Sequence, residues 1–367
     1  MNREQTIVRT SLLGIIGNIF LVIGKAIIGF IAGSVAIITD ALNNLTDALS
    51  SAITIIGTKI SGRKPDKKHP YGHGRVEYLT SLIIAVLILI AGASAIYESI
   101  NSLINATKAE YDYVSLIVIA LAIVVKIFLG LFFQKTGKKV KSEPLKASGK
   151  DALFDALLSV ATLIGIGTSL LWDFNIEGYI GILIGLFILK SGIEIMRDGV
   201  SLIIGQRADQ DLVNDIKKIV CSFKEVQGAY DLIVNNYGQT SSIASVHIEV
   251  SDDLTAREIH HLSREIALKV YQETNSIITV GIYAQNEANP EIKEIKKFVL
   301  DLVQKDKNIQ QIHGFYVDED KELITFDLVI SFDCKNPKAL IQSVYNAVQK
   351  KYPHYNYYIV QDTDFAD

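Results

Sequence analysis

Cysteine, net charge and catalytic motifs are all scarce in this chain, and each scarcity excludes a class of protein. Of the 367 residues only Cys221 and Cys334 are cysteines, and they form no Cys-x-x-Cys or comparable metal spacing. The formal net charge is −4, too small to indicate a nucleic-acid partner. No Ser/His/Asp set or His-Glu-x-x-His motif occurs, so we do not expect an enzyme.

Long apolar runs are abundant up to about residue 204. Windows long enough to cross a bilayer, which takes about 20 residues, lie at 11–32, 36–59, 79–100, 113–133, 148–171 and 179–197. We therefore predict a six-helix, all-α transmembrane bundle in the plasma membrane. The first apolar stretch is too long for a signal peptide, and a second span follows at once, so we expect it to be retained.

Basic residues are concentrated in two of the connecting loops. The loop after span two contains Arg63, Lys64, Lys67, Lys68 and Arg75, and the loop after span four contains Lys135, Lys138, Lys139, Lys141 and Lys146. The opposite connections contain Lys108 alone. Because basic loops remain on the cytoplasmic side, both termini are predicted to be cytoplasmic.

The remainder of the chain contains an internal repeat. The order helix, strand, strand, helix, strand is predicted within residues 209–285 and again within 290–361. The segment 227–230, Gln-Gly-Ala-Tyr, corresponds to His-Gly-Phe-Tyr at 313–316. We predict two tandem cytoplasmic α+β modules of ferredoxin-like order. The predicted domains are a transmembrane domain at 1–205, a dimerisation module at 206–286 and a second module at 287–367.

Two polar doublets interrupt the apolar spans: Asn43 with Asp47 in span two, and Asp151 with Asp155 in span five. The i, i+4 spacing places each pair on one helix face. A carboxylate at membrane depth costs roughly 2.5 to 3.5 kcal/mol on insertion scales, so these acids predict a divalent-cation site. The alternatives are an interhelical hydrogen bond for Asn43 and a hydrated helix entrance for the two aspartates of span five.

A second candidate ligand set lies between spans two and three, where residues 69–77 read His-Pro-Tyr-Gly-His-Gly-Arg-Val-Glu. Asp66, His69 and His73 offer one carboxylate and two imidazoles, which suit zinc or manganese. The proline and glycines favour a tight turn, in which the histidines would instead serve packing and capping.

Together, the six spans, the doublets, the histidine loop and the following module resemble the cation diffusion facilitator family of divalent-metal exporters, over residues 8–286. The resemblance implies a homodimeric transporter in the lipid bilayer. Its transport site would be formed by matching positions Asn43, Asp47, Asp151 and Asp155. The set Asp66, His69 and His73 matches an auxiliary site of some members.

Zinc-selective members of that family usually have a histidine in the transport set, and this chain has none there. Oxygen ligands suit harder ions such as manganese, and members with one asparagine and three aspartates are associated with manganese export. We expect manganese(II) efflux in exchange for protons, because repulsion among carboxylates in an empty site favours protonation; no resident cofactor is expected. The alternatives are zinc, iron or cadmium export, and a membrane metal sensor or scaffold without transport.

The resemblance also implies a cytoplasmic metal cluster in some members, at positions occupied here by Tyr230, Tyr283 and Gln285. These are poor ligands, so we expect His247 to be an ordinary strand histidine. Among basic residues within the spans, Lys126 is expected to extend its ammonium to the cytoplasmic end of its helix.

Overall fold

The computed structural model describes residues 2–32, 35–105, 113–172, 177–238, 241–286, 289–363 and 365. The chain divides into two compact units. The first comprises residues 1–206 with 237–239, and the second comprises 207–236 with 240–367.

Six long helices form the first unit. They are α1 (Arg3–Ala32), α2 (Val35–Ser61), α3 (Val76–Asn105), α4 (Tyr113–Lys139), α5 (Glu143–Trp172) and α6 (Glu177–Ile204). Among the described residues, four helices are long and apolar enough to cross a membrane, and they lie within α1, α3, α4 and α6. The other two, α2 and α5, contain the polar doublets. The fold is therefore shown to contain four apolar spans, while the crossings by α2 and α5 stay predictions.

Large apolar side chains point outward from the four apolar helices. Phe20 of α1, Ile90 of α3, Phe128 of α4 and Phe187 of α6 are all exposed. Exposed apolar side chains on this scale are unfavourable in water but match the hydrocarbon interior of a bilayer. Their outward direction agrees with a multi-pass membrane protein.

Within the first unit, α1 packs on α2, α3 on α6, and α4 on α5. The start of α1 is fixed by Arg3, whose Nη2 donates to both carboxylate oxygens of Glu77, at 2.7 and 2.9 Å. Its Nε donates to the carbonyl oxygen of Val140 at 2.8 Å. The Glu77 side chain is only 2% exposed, so this ion pair neutralises a buried carboxylate at the start of α3.

The second unit begins with a module of two helices and three strands: α7 (Gln210–Val220), β1 (Gly228–Asn236), β2 (Ser242–Ser251), α8 (Ala256–Thr274) and β3 (Ser276–Gln285). The sheet order is β1-β2-β3, with β1 antiparallel and β3 parallel to β2. A capping box starts α8, in which Thr255 and Glu258 bond reciprocally to each other's backbone N–H.

A second module repeats this order with α9 (Pro290–Val303), β4 (Ile309–Asp318), β5 (Leu323–Ile330), α10 (Pro337–Lys351) and β6 (Asn356–Asp362). Its sheet order is β4-β5-β6, again with one antiparallel and one parallel pairing. Each module has its own apolar core, one including Ile248 and Ile266 and the other including Phe326 and Val348. The modules contact each other where β3 meets β4.

Candidate metal sites

The polar doublets lie on α2 and α5, which contact each other inside the first unit. Asn43 is exposed, whereas Asp47, Asp151 and Asp155 are half-buried. Each doublet presents its two side chains one helical turn apart, as the sequence spacing predicts. The four residues offer only oxygen as a metal ligand, and their assignment as a transport site remains a prediction.

Lys126 of α4 joins the two doublets. Its Nζ donates to Oδ2 of Asp47 and, at 2.6 Å, to Oδ2 of Asp155. The lysine side chain is only 4% exposed. The structure therefore brings one carboxylate from each doublet to the same cation, the ammonium group of Lys126.

A close approach of α4 and α5 makes this contact possible. A Cβ placed on Gly130, one turn after Lys126, would lie 2.7 Å from Cγ of Leu153 and 3.1 Å from the carbonyl oxygen of Gly149. A Cβ on Gly149 would lie 2.9 Å from the backbone nitrogen of Gln134. Because neither side chain would fit, the two glycines let the helix backbones nearly touch, and Lys126 reaches Asp155 directly.

The expectation that Lys126 extends to the membrane surface was wrong. Lys126 lies near the middle of α4, its side chain is buried, and carboxylates on two neighbouring helices neutralise its charge there. One signal was available in the sequence: three acids within apolar spans require neutralising charge. Lys25, a second lysine within the spans, is also buried.

The loop residues Asp66, His69 and His73 also lie together in the structure. Their ligand atoms are all within 4.8 Å of one another. The carboxylate oxygens of Asp66 lie 3.4 Å from Nδ1 of His69 and 3.4 Å from Nε2 of His73. Backbone N–H groups, first that of His69 and then that of Lys68, donate to Asp66 and lower the pKa of its carboxyl group. Both predicted uses of this loop, metal binding and turn formation, fit this geometry.

A third set of possible ligands lies in the second unit and was not predicted. Asp231, His313 and Asp327 place their ligand atoms within 4.8 Å of one another. His247, expected to be an ordinary strand histidine, has its Nδ1 2.9 Å from Oδ2 of Asp231. It therefore belongs to a polar network rather than to a plain strand surface.

Residues 11–204 match the family model of the cation efflux transmembrane domain, and residues 208–282 match that of the cation efflux protein cytoplasmic domain. The chain belongs to the cation efflux family. This confirms the resemblance to cation diffusion facilitators. The family consists of transporters rather than enzymes, and its two matched domains correspond to a transmembrane part followed by a part built from helices and sheets.

Curated relatives support the same membership. An uncharacterized transporter of Methanocaldococcus jannaschii is 31% identical over 70% of this chain and 90% of the relative. In Bacillus subtilis, the manganese efflux system protein MneS is 30% identical over 68% of this chain and 85% of its own length. The manganese efflux system protein MneP is 25% identical over 80% of this chain and 99% of its own length.

Proposed function

We propose that this cation efflux protein exports manganese(II) from the cytoplasm in exchange for protons. The observation that carries the proposal is the all-oxygen donor set of the two doublets. Asp47 of one doublet and Asp155 of the other both contact the same cation, the ammonium group of Lys126. Carboxylate and amide oxygens suit manganese better than they suit zinc. Two relatives whose names state manganese efflux support the choice of metal.

The proposed arrangement is a homodimer in the plasma membrane, with six crossings per chain and both termini in the cytoplasm. The basic loops support this orientation, and the match of residues 208–282 to a cytoplasmic domain agrees with it. We assign the transmembrane domain to residues 1–205, a ferredoxin-like dimerisation module to 206–286 and its repeat to 287–367. Asp66, His69 and His73 form the proposed auxiliary site.

The charges around the doublets suggest an exchange ratio. Asp47, Asp151 and Asp155 can each take up a proton, whereas Asn43 has no titratable group. One divalent cation carries the same charge as two protons. Exchange of two protons for one metal ion therefore leaves the charge of the site unchanged, so neither stage adds a buried net charge.

Lys126 has a defined role in this scheme. Its ammonium holds the oxygens of Asp47 and Asp155, so a metal ion that uses those oxygens must displace it. The displaced ammonium remains close to the bound cation and repels it. Lys126 would thereby prevent the site from holding the metal too tightly for release.

Cellular metal content tests the proposal. Cells that express the wild-type chain should retain less manganese than cells without it, whereas Asp155→Ala should abolish the difference. Asp198→Ala is the matched control, because Asp198 is an exposed acid on α6. Equal manganese content with wild type and Asp155→Ala would contradict the transport site, and selective loss of zinc rather than manganese would contradict the choice of metal.

A further inference from the structure

The two modules of the second unit meet at a group of acids and histidines. We call it the seam cluster and define it as Asp231, His247, His313, Asp327 and Asp362. These residues lie on β1, β2, β4, β5 and β6 respectively, so both sheets contribute. Tyr283 of β3 adds a hydroxyl group that reaches Asp231 at 2.5 Å and Asp327 at 3.0 Å.

His313 lies at the centre of the cluster, and its side chain is fully buried, with 0% exposed. Its Nε2 lies 2.7 Å from Oδ1 of Asp231, 3.3 Å from Oδ2 of Asp362 and 3.9 Å from Oδ2 of Asp327. One imidazole nitrogen is thus surrounded by three carboxylates that come from both modules. The ligand atoms of His313, Asp231 and Asp327 fit within a 4.8 Å span.

Three buried atoms of the cluster, both ring nitrogens of His313 and Oδ1 of Asp231, have no hydrogen bond of acceptable geometry among the described residues. Nε2 of His313 and Oδ1 of Asp231 approach each other to 2.7 Å as an ion pair. The other oxygen of Asp231 is already engaged by Tyr283 and His247. An unsatisfied polar atom in a protein interior is costly. A buried nitrogen and a buried oxygen that lie this close, with no further partner among the described residues, are suited to a shared metal ion.

The charges of the cluster point the same way. Three carboxylates surround His313, and even a protonated imidazole leaves an excess of negative charge. A divalent cation among these carboxylates would offset that excess.

We propose that the seam cluster binds one divalent transition-metal ion, with Nε2 of His313 and carboxylate oxygens of Asp231 and Asp327 as ligands. Asp362 is close enough to supply a fourth. A set of one imidazole with carboxylates suits manganese, iron or zinc. The side chains of Asp327 and Asp362 are 21% and 24% exposed, which gives the ion a path from solvent.

Metal at this site would link the modules. Asp231 belongs to the first module, while His313 and Asp327 belong to the second, which follows the range matched by the cytoplasmic-domain model. A bound ion therefore connects β1 to β4 and β5 and stabilises the contact between the sheets. The proposal does not depend on which metal the transmembrane doublets transport.

Manganese binding to the full-length protein tests the site directly. The other candidate sites are first disabled by Asp151→Ala, Asp155→Ala, His69→Gln and His73→Gln. This background protein is stripped with chelator, dialysed against Mn²⁺ and examined for metal content and for nitrogen coupling to Mn²⁺ by electron spin echo spectroscopy. We expect one bound Mn²⁺ per chain with a coupled imidazole nitrogen. Absence of bound Mn²⁺, or of the nitrogen coupling, in this folded protein would overturn the proposal.

Variants then identify the ligands. Added to the background, His313→Gln should remove both the bound ion and the nitrogen coupling. His354→Gln should retain both, because His354 is an exposed histidine of the same module. Asp327→Asn, which keeps the side-chain volume, should weaken Mn²⁺ binding at least tenfold while the unfolding temperature in chelator stays unchanged. Full Mn²⁺ binding and unchanged nitrogen coupling in His313→Gln would overturn the assignment.

Discussion

Replacement of Lys126 by methionine should tighten manganese binding and slow export. Lys126 is buried and holds Asp47 and Asp155, one carboxylate from each doublet. The methionine side chain would keep the apolar stem and remove the charge. In the wild-type protein, a metal ion that takes both carboxylates must displace the ammonium, which stays tethered to α4 nearby.

The expected size follows from Coulomb's law. At about 8 Å and an effective dielectric constant of about 20, an ammonium and a divalent cation repel by about 4 kcal/mol. Asp155 is partly exposed, and a carboxylate without its lysine can take up a proton, so we expect about half of this, or roughly 2 kcal/mol. That corresponds to about 30-fold tighter binding.

Without bound metal, Lys126→Met should be less stable than the wild type. Removal of one partner from a buried ion pair costs about 3 to 5 kcal/mol of folding free energy. Protonation of the carboxylate that is left unpaired reduces this cost. Lys126→Met should therefore unfold at a lower temperature in chelator and gain more from added Mn²⁺ than the wild type does.

Equilibrium dialysis with Mn²⁺, and thermal unfolding with and without Mn²⁺, measure both effects on the purified full-length protein. Lys190→Met is the matched control, because Lys190 is an exposed lysine on α6. If Lys126→Met binds Mn²⁺ with the wild-type affinity or more weakly, the proposed competition between ammonium and metal is wrong.

Three further predictions concern selectivity and stability. Asn43→His should shift export from manganese toward zinc, because an imidazole suits zinc better than an amide oxygen does; metal content of expressing cells measures the shift. Arg3→Ala should destabilise the first unit by about 3 to 5 kcal/mol, because it leaves Glu77 buried without a partner; the midpoint of thermal unfolding reports this. Thr255→Ala should destabilise the second unit by about 1 kcal/mol through loss of the capping box with Glu258, measured by urea unfolding.

Conservative variants serve as controls for these predictions. Asn43→Asp keeps an oxygen ligand and should retain the preference for manganese. Thr255→Ser keeps the capping oxygen and should stay within a few tenths of a kcal/mol of wild type. A zinc preference in Asn43→Asp, or equal stability of Thr255→Ala and Thr255→Ser, would contradict the corresponding reasoning.

The helices and the family could be predicted from the sequence because both depend on local patterns. The apolar windows correspond to α1 through α6, and the loop 69–77 together with the doublets indicated the family that the comparisons confirm. The doublets were recognisable because an i, i+4 spacing acts within a single helix. The apolar content of the described residues supports only four spans, since α2 and α5 contain the polar residues of the site.

Lys126 could not be placed from sequence, because its partners lie on two other helices. Its contact with Asp155 depends on the close approach at Gly130 and Gly149, which is a property of packing rather than of either helix alone.

The seam cluster could not be predicted from the sequence for a similar reason. Strand register places Tyr230 opposite His247 and His313 opposite Asp327. Asp231 meets His313 only because the second module packs on the first where β3 contacts β4. The repeat predicted the two modules, but not the contact between them.

Manganese transport into proteoliposomes with an imposed pH gradient tests the central claim most directly. Wild-type protein should accumulate Mn²⁺ in exchange for about two protons per ion, and reversal of the gradient should reverse the flux. Asp155→Ala should transport neither Mn²⁺ nor protons, while Asp198→Ala should behave as wild type. Manganese uptake that ignores the gradient would contradict proton exchange, and undiminished uptake by Asp155→Ala would contradict the site.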